Sequence, residues 1–240
     1  MEIKNDVFTT KGKYPNTRLF GENGDGGLLA VANVPSKYRT ATIDNLPFEE
    51  DNPKAHAIVT RYGNKIVETV DKGIGLYLFG IPTQENTKGT GTGKTTASIA
   101  LIQAYLRQRI IMELKQERPI HDLPAYFVKM AKFQNIFNSQ YRGSSSTKEI
   151  NGDKYHALKT KMIETDLLVL DDIGLRGLTE SLQNEVYEII DERDTYEKAT
   201  IYTSNVPIDQ LELSEQLLSR IDGMAHAIPF AGKDNRRKSL

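Results

Sequence analysis

The sequence contains no cysteine, which excludes disulfide bonds and any zinc site with thiolate ligands. Histidine is scarce as well, and its four copies lack the spacing of metal ligands: His56, His121, His156 and His226. We expect each of them to be a surface or packing residue.

Long hydrophobic runs are also absent. No stretch approaches the roughly eighteen apolar residues that a membrane-spanning helix needs, and the N-terminus lacks the hydrophobic run of a secretory signal. These features predict a soluble, cytoplasmic protein with no membrane partner.

An excess of charge of one sign is missing too, because the formal net charge is −1. The molecule as a whole therefore does not attract nucleic acid, and any such surface must be local. The charge is nevertheless segregated: residues 129–161 carry seven Lys/Arg and two Asp/Glu, whereas residues 164–197 carry eleven Asp/Glu and two Arg. Each block is either a solvated face or a binding surface.

The basic block is the candidate for contact with single-stranded DNA, since phosphate attraction supplies most of such binding. Its candidate cations are Lys129, Lys132, Arg142, Lys148 and Lys154, with the aromatic residues Phe133 and Tyr141 nearby. Phe133 also has helical spacing with Ile136 and Phe137, which favours a core position for it.

The length of 240 residues suffices for one α/β domain with a short extension. Residues 1–50 are punctuated by Gly and Pro and show no apolar period. We interpret them as a loop-like extension that packs on the domain or meets a partner. Residues 51–240 then form the domain.

Within that domain, apolar runs alternate with helical patterns. Predicted strands lie at 76–79, 125–128, 167–170, 199–203 and 225–230. Predicted helices lie at 53–72, 94–117, 133–141, 153–164, 180–190 and 214–221, and residues 143–147 read as a flexible polar loop. This alternation predicts a three-layer αβα fold with a central five-stranded parallel sheet.

One stretch has the context of a phosphate-binding loop, because an apolar strand enters a glycine-rich loop that opens a helix. Main-chain N–H groups from Gly91 to Thr95 could wrap a phosphate at the positive end of that helix. Lys94 would reach the β- and γ-phosphates, and the Thr95 hydroxyl would bind Mg²⁺. The residues expected to contact nucleotide are Gly91, Thr92, Gly93, Lys94, Thr95 and Thr96. The alternative is a flexible glycine turn with a chance lysine.

The loop departs from the strict pattern G-x-x-x-x-G-K-[ST], because Lys88 stands five residues before Gly93. If Gly80 is the first glycine, the loop carries eight extra residues. We expect this insertion, at residues 83–90, to bulge to the surface without disturbing the phosphate contacts, so that shortening it would preserve nucleotide binding.

A second element of phosphate chemistry is the run LLVLDDIG at residues 167–174. A buried strand that ends in two carboxylates places Asp171 beside the phosphate loop, where it can hold Mg²⁺. Asp172 would then orient the attacking water and accept its proton. The alternative for Asp172 is a helix cap.

A third strand ends in polar residues at Ser204 and Asn205. At that edge Asn205 could hydrogen-bond the γ-phosphate or the attacking water. Considered alone, the segment would be an ordinary turn.

The series GTGTGKT, LLVLDDIG, IYTSN, LLSRI and GKDNRR, in this order and at these spacings, resembles the AAA+ ATPases of the DnaC/DnaI helicase-loader family. The transposon helper ATPase IstB is also similar. The resemblance covers roughly residues 35–240 and implies the AAA+ core of P-loop NTPases. The sequence departs from larger AAA+ proteins in ending about where their helical lid would begin, so we expect no full lid.

The resemblance also implies residue roles. Lys94 and Thr95 match the Walker A pair, Asp171 and Asp172 the Walker B acids, and Asn205 the sensor-1 residue. Arg220 matches the arginine finger offered to the ATP of a neighbouring subunit. Arg236 matches the sensor-2 arginine, with Arg237 as a poorer substitute.

The implied function is Mg²⁺-dependent ATP hydrolysis, by subunits that share ATP sites, coupled to the loading of a replicative helicase on DNA. Two alternatives stay open: a transposase helper of the IstB type, and an ATP-gated scaffold that binds DNA or a partner with little turnover.

Overall fold

The computed structural model describes residues 13–174 and 178–235. In chain order its helices and strands are α1 (Lys13–Phe20), α2 (Gly27–Val31), α3 (Pro53–Asn64), α4 (Ile66–Asp71), β1 (Gly75–Gly80), α5 (Lys94–Leu114), β2 (Ala125–Lys129), α6 (Met130–Ser139), α7 (Ser145–Glu164), β3 (Leu167–Asp171), α8 (Glu180–Thr195), β4 (Ala199–Ser204), α9 (Glu215–Met224) and β5 (Ala225–Phe230).

The strands form one parallel sheet in the order β2-β3-β4-β1-β5. β3 and β4 are buried along their whole lengths, as expected for strands covered on both faces. The predicted five-stranded parallel sheet and three-layer fold are confirmed.

Alternate residues of each strand enter two separate hydrophobic layers. Leu76 and Leu78 of β1 pack in the layer formed by α3, α4 and α5, whereas Tyr77 between them packs in the layer formed by α6 to α9. This alternation follows from the two-residue period of a strand. Helix α5 lies on the first face and places its N-terminus at the carboxyl end of the sheet.

The loop-like interpretation of residues 1–50 is wrong for part of the segment, since α1 and α2 are helical. Leu19, Leu29 and Phe48 are fully buried and belong to the same core layer as α5. The described part of the extension therefore packs on the domain, and whether it also meets a partner stays a prediction.

Two helix predictions need correction. Residues 145–147 form the first turn of α7 rather than a loop, because the Ser144 hydroxyl accepts the N–H of Thr147 and caps the helix. The helix predicted over 53–72 is divided at Lys65 into α3 and α4. Phe133 is fully buried in α6, as its helical spacing predicted.

Within residues 13–174 and 178–235, no helix has the length and apolarity to cross a membrane.

Candidate functional site

Three neighbouring strands end together at the carboxyl edge of the sheet. The register pairs Leu170 of β3 with Tyr202 of β4, and Ser204 of β4 with Phe79 of β1. Asp171 therefore lies beside Thr203, and Asn205 follows beside Gly80. The side chains predicted from three separate motifs thus reach one edge of the sheet.

The phosphate loop has the backbone shape that its glycines allow. Gly91 and Gly93 have φ angles of 69° and 99°, in the left-handed region that favours glycine, and α5 begins at the next residue, Lys94. Lys94 is 5% exposed and donates to the carbonyl of Gly89 at 2.8 Å and to the Thr92 hydroxyl at 3.3 Å. Its ammonium group is therefore held over the loop.

Asp171 joins the phosphate loop to the sheet. Its side chain is buried, and its Oδ1 accepts the Thr95 hydroxyl at 2.7 Å and the Thr203 hydroxyl at 2.9 Å. The predicted proximity of Thr95 and Asp171 is therefore observed. Oxygen ligands of this kind suit Mg²⁺, so the pair fits that ion.

Sequence reasoning missed Thr203. This fully buried residue of β4 donates to Asp171 and also accepts the main-chain N–H of Asp172 at 2.9 Å. Its place near the end of β4, level with Asp171 on the neighbouring strand, was the available indication.

Asp172 has a positive φ of 60°, which is uncommon outside glycine. Residues 172–174 form a turn and no helix begins there, so the alternative of a helix cap is wrong. The main-chain N–H of Ile173 donates to the carbonyl of Thr203 at 2.9 Å and continues the contact between the two strand ends.

The insertion was expected at residues 83–90, but the extra segment lies at residues 81–88, between Gly80 and Gly89. A Cβ atom on Gly89 would lie 3.1 Å from the carbonyl carbon of Gly80, so the chain returns to its starting point after the inserted segment. Six of the eight inserted residues are exposed, but Asn86 is only 7% exposed.

The insertion bulges to the surface as expected, except at Asn86, whose contacts argue against the further expectation that shortening the insertion would preserve nucleotide binding. The side-chain amide of Asn86 donates to the carbonyl of Thr90 at 2.7 Å and accepts the N–H of Thr90 at 3.3 Å. The same amide donates to the carbonyl of Gly232 at 3.0 Å. The insertion is therefore part of the loop's support.

The C-terminal segment runs beside the phosphate loop. The N–H of Asn235 donates to the carbonyl of Gly91 at 3.1 Å, and a Cβ atom on Gly91 would collide with the Asp234 carboxylate. Arg236 and Arg237, the candidates for the sensor-2 role, lie outside the described residues.

Phe48 brings the N-terminal segment to the same place. Its ring contacts that of Phe230 in an edge-to-face arrangement with centroids 4.9 Å apart. A Cβ atom at position 93 would lie 2.5 Å from Cδ1 of Phe48, so only glycine fits against the ring.

Arg220 lies on α9 and bonds to α8. Its guanidinium pairs with Asp191 at 2.6 Å and also with Asp194, and its side chain is 41% exposed. Hydrogen bonds with Tyr187 and Asp194, together with the charge of Asp191, raise the pKa of Arg220 above its usual value. The side chain is thus held at the surface by acids of its own chain.

The basic block is divided by the fold. Lys132 of α6 and Lys154 and Lys161 of α7 line a cavity of about 270 Å³ beside Tyr126 of the edge strand β2. We call this cavity the β2-edge groove. The Lys161 ammonium lies 5.9 Å from the centroid of the Tyr126 ring.

A second cavity, of about 380 Å³, shares Lys132 with the groove and adds Arg39 and Lys129. Among the residues that the structure describes, no acidic side chain lines either cavity. Arg142 and Lys148 instead lie exposed near the α6–α7 connection, as does Tyr141. The structure thus brings together only Lys129, Lys132 and Lys154 of the five predicted cations.

No group of three or more His, Cys, Asp or Glu side chains within the described ranges is arranged to hold a metal ion. This is compatible with the site above, in which one carboxylate and one hydroxyl face the phosphate loop.

Comparison with known proteins gives a partial match in sequence. Residues 129–239 match the family described as "IstB-like ATP binding protein". The match covers less than half of the chain and begins after the phosphate loop, but it includes Asp171, Asp172, Asn205 and Arg220. No curated protein sequence matches the chain.

Solved structures are similar over most of the chain. The crystal structure of DnaI is 18% identical with a TM-score of 0.59, covering 82% of this chain and 94% of its own. That of the DnaC helicase loader is 21% identical with a TM-score of 0.58, covering 82% and 99%. The replication initiator DnaA bound to AMPPCP and single-stranded DNA is 18% identical with a TM-score of 0.54, covering 79% and 49%.

The chain therefore has the α/β fold of DnaI and DnaC. The resemblance to helicase loaders and to IstB that the motifs predicted is confirmed at the level of the fold and of the matching segment.

Proposed function

We propose that this protein is a Mg²⁺-dependent ATPase that acts in the cytoplasm and couples ATP turnover to loading a replicative helicase on DNA. The main support is the hydrogen bond between Thr95 and Asp171, because it joins the phosphate loop to the acidic end of β3. This is the arrangement in which P-loop NTPases hold metal-bound nucleotide.

Binding would begin at the phosphate loop. Main-chain N–H groups at the start of α5 face a phosphate and carry the positive end of the helix dipole. Lys94 would release the Gly89 carbonyl and turn to the β- and γ-phosphates, where its charge offsets theirs. Thr95 and Asp171 would hold Mg²⁺, and the ion would supply positive charge that offsets the charge of the phosphates.

Hydrolysis needs a positioned water more than covalent chemistry. Asp172 would accept a proton from that water, and its position is fixed through Thr203. Asn205, at the adjoining strand end, would hydrogen-bond the water or the γ-phosphate.

Arg220 would complete the site of a neighbouring copy of the chain. Its side chain is 41% exposed, so a neighbouring copy could reach it, although it now pairs with Asp191 and Asp194 of its own chain. At the site of that copy it would leave these acids and neutralise charge in the transition state.

Binding of a fluorescent ATP analogue and release of phosphate test the core of the proposal. Lys94→Ala should weaken ATP binding by roughly 10-fold or more, since a charge-assisted contact is lost. Lys88→Ala, an exposed lysine in the inserted segment, is the matched control. ATP affinity unchanged in Lys94→Ala would overturn the assignment, and binding without turnover would favour a scaffold.

A transposase helper is the second candidate, favoured by the match of residues 129–239 to IstB-like proteins. Pull-down with a purified replicative helicase and with a purified transposase separates the two. Capture of the transposase alone would replace the helicase-loading role.

A further inference from the structure

The inserted segment 81–88 supplies a residue that none of the motifs requires. Asn86 is buried, although its neighbours Glu85 and Thr87 are exposed. A tight turn holds it there, because its main-chain N–H and carbonyl bond to the carbonyl and N–H of Thr83, at 3.2 and 3.0 Å.

The side chain of Asn86 uses both of its amide protons and its oxygen. The donors go to the carbonyls of Thr90 and Gly232, and the oxygen accepts the N–H of Thr90. Asparagine suits this position since it combines two donors and an acceptor on one short planar group. Thr90 is the residue before Gly91, so Asn86 fixes the start of the phosphate loop.

Gly232 belongs to the C-terminal segment, which is tied at three successive points. Asn52 bonds to both main-chain groups of Ala231 at 2.7 Å, Asn86 to the carbonyl of Gly232, and the Gly91 carbonyl to the N–H of Asn235. Asn86 is the side chain that joins this segment to Thr90 at the start of the phosphate loop, beside the main-chain contact between Gly91 and Asn235.

We propose that Asn86 is a positioning residue that couples nucleotide binding to the C-terminal segment. By holding Thr90 and Gly232 together, it makes the conformation of the phosphate loop depend on the docked position of residues 231–235. Nucleotide bound at the loop should then stabilise the docked segment, and loss of docking should weaken nucleotide binding by the same factor. This inference rests on the proposed ATP site.

The test compares Asn86→Ala and Asn86→Asp with Gln84→Ala, an exposed neighbour in the same insertion. Asn86→Asp keeps the size of the side chain and the acceptor for Thr90 but loses both donated bonds. Losing two hydrogen bonds should weaken binding of the fluorescent ATP analogue by roughly 10-fold, whereas Gln84→Ala should bind as the wild type does.

Hydrogen exchange of the peptide containing residues 231–235 gives a readout that a purely structural role would not move. In the wild type, ATP should slow exchange of this peptide; in both Asn86 variants the slowing should be lost, while exchange within β3 and β4 stays unchanged. Melting temperatures identify a variant that fails to fold, in which case the other variant decides.

Wild-type ATP affinity together with wild-type protection of residues 231–235 in the Asn86 variants would overturn the inference and leave the ATPase proposal intact. A wild-type protein that binds no ATP would overturn both.

Discussion

Thr203 donates its hydroxyl hydrogen to Oδ1 of Asp171 at a distance of 2.9 Å. Its own oxygen accepts the N–H of Asp172, so one side chain of β4 orients both acidic residues at the end of β3. Thr203 thereby positions two residues to which we assign roles in holding Mg²⁺ and activating water.

Thr203→Val should therefore impair turnover more than it impairs folding. The methyl group that replaces the hydroxyl leaves the N–H of Asp172 and a buried carboxylate without this partner, at a cost of about 1–3 kcal/mol in the free energy of unfolding. We expect phosphate release to fall roughly 10-fold or more, as judged at saturating ATP. Thr203→Ser keeps the hydroxyl and should retain most turnover; equal losses in both variants would contradict this role.

Mixing two inactive variants tests whether Arg220 acts across an interface. Lys94→Ala should lack its own ATP site but still offer Arg220, whereas Arg220→Ala should bind ATP but lack the arginine. Turnover should reappear on mixing if sites are shared, because an interface can combine the intact halves.

The control for this mixture is Arg220→Ala combined with the double variant Lys94→Ala/Arg220→Ala, which has no arginine to offer. Full turnover by Arg220→Ala alone, independent of protein concentration, would refute a shared site.

The β2-edge groove should bind single-stranded DNA through Lys132, Lys154 and Lys161. Each lost phosphate contact should reduce the slope of log affinity against log salt by about 0.7, so the triple alanine variant should lose about 2. Fluorescence anisotropy of a labelled oligonucleotide over a salt series measures the slope.

Alanine at Lys54 and Lys65, exposed lysines at the two ends of α3, provides the control for this groove. Alanine at Arg142 and Lys148 tests the other part of the basic block. A larger loss for that pair than for the groove would move the DNA contact to the α6–α7 connection.

Asp166 should make stability depend on pH under acidic conditions. Burial alone would raise its pKa, but hydrogen bonds from His121 at 2.7 Å and Tyr105 at 2.9 Å, with the charge of the buried Arg109, lower it below the usual value. The stabilisation is therefore present above the unfolded pKa of about 4 and is lost as the pH falls through the lower folded value.

Asp166→Asn should reduce the free energy of unfolding at pH 7 by about 2–3 kcal/mol, since it leaves Arg109 buried without its carboxylate. Urea unfolding should show this deficit shrinking below pH 4. Asp71→Asn removes only an exposed pair with Arg118 and should cost at most about 1 kcal/mol. A deficit for Asp166→Asn that persists at low pH would contradict the electrostatic explanation.

The sheet and the main acidic and basic residues could be predicted because they follow from local patterns. The apolar run before Asp171 and the glycines before Lys94 each specify an element, and parallel strands bring their carboxyl ends to one edge. The proximity of Thr95 and Asp171 could therefore be predicted without knowing the conformation of any loop.

What escaped prediction depends on contacts between distant main-chain groups. The Asn86 side chain bonds to main-chain groups, one of them the carbonyl of Gly232, 146 residues away. Every residue has a main-chain carbonyl, so the residue types give no indication of such a contact. The run of three serines at residues 144–146 is typical of a loop, but Ser144 caps helix α7. Helices α1 and α2 are too short to show a period.

The contact between Phe48 and Gly93 has a mechanical consequence. The ring packs against Gly93 of the phosphate loop but belongs to the N-terminal segment. Movement of that segment would therefore displace the ring from the loop. A protein that pulled residues before Phe48 away from the domain would withdraw that ring. Binding of that protein would then weaken nucleotide binding, and bound nucleotide would weaken binding of that protein by the same factor.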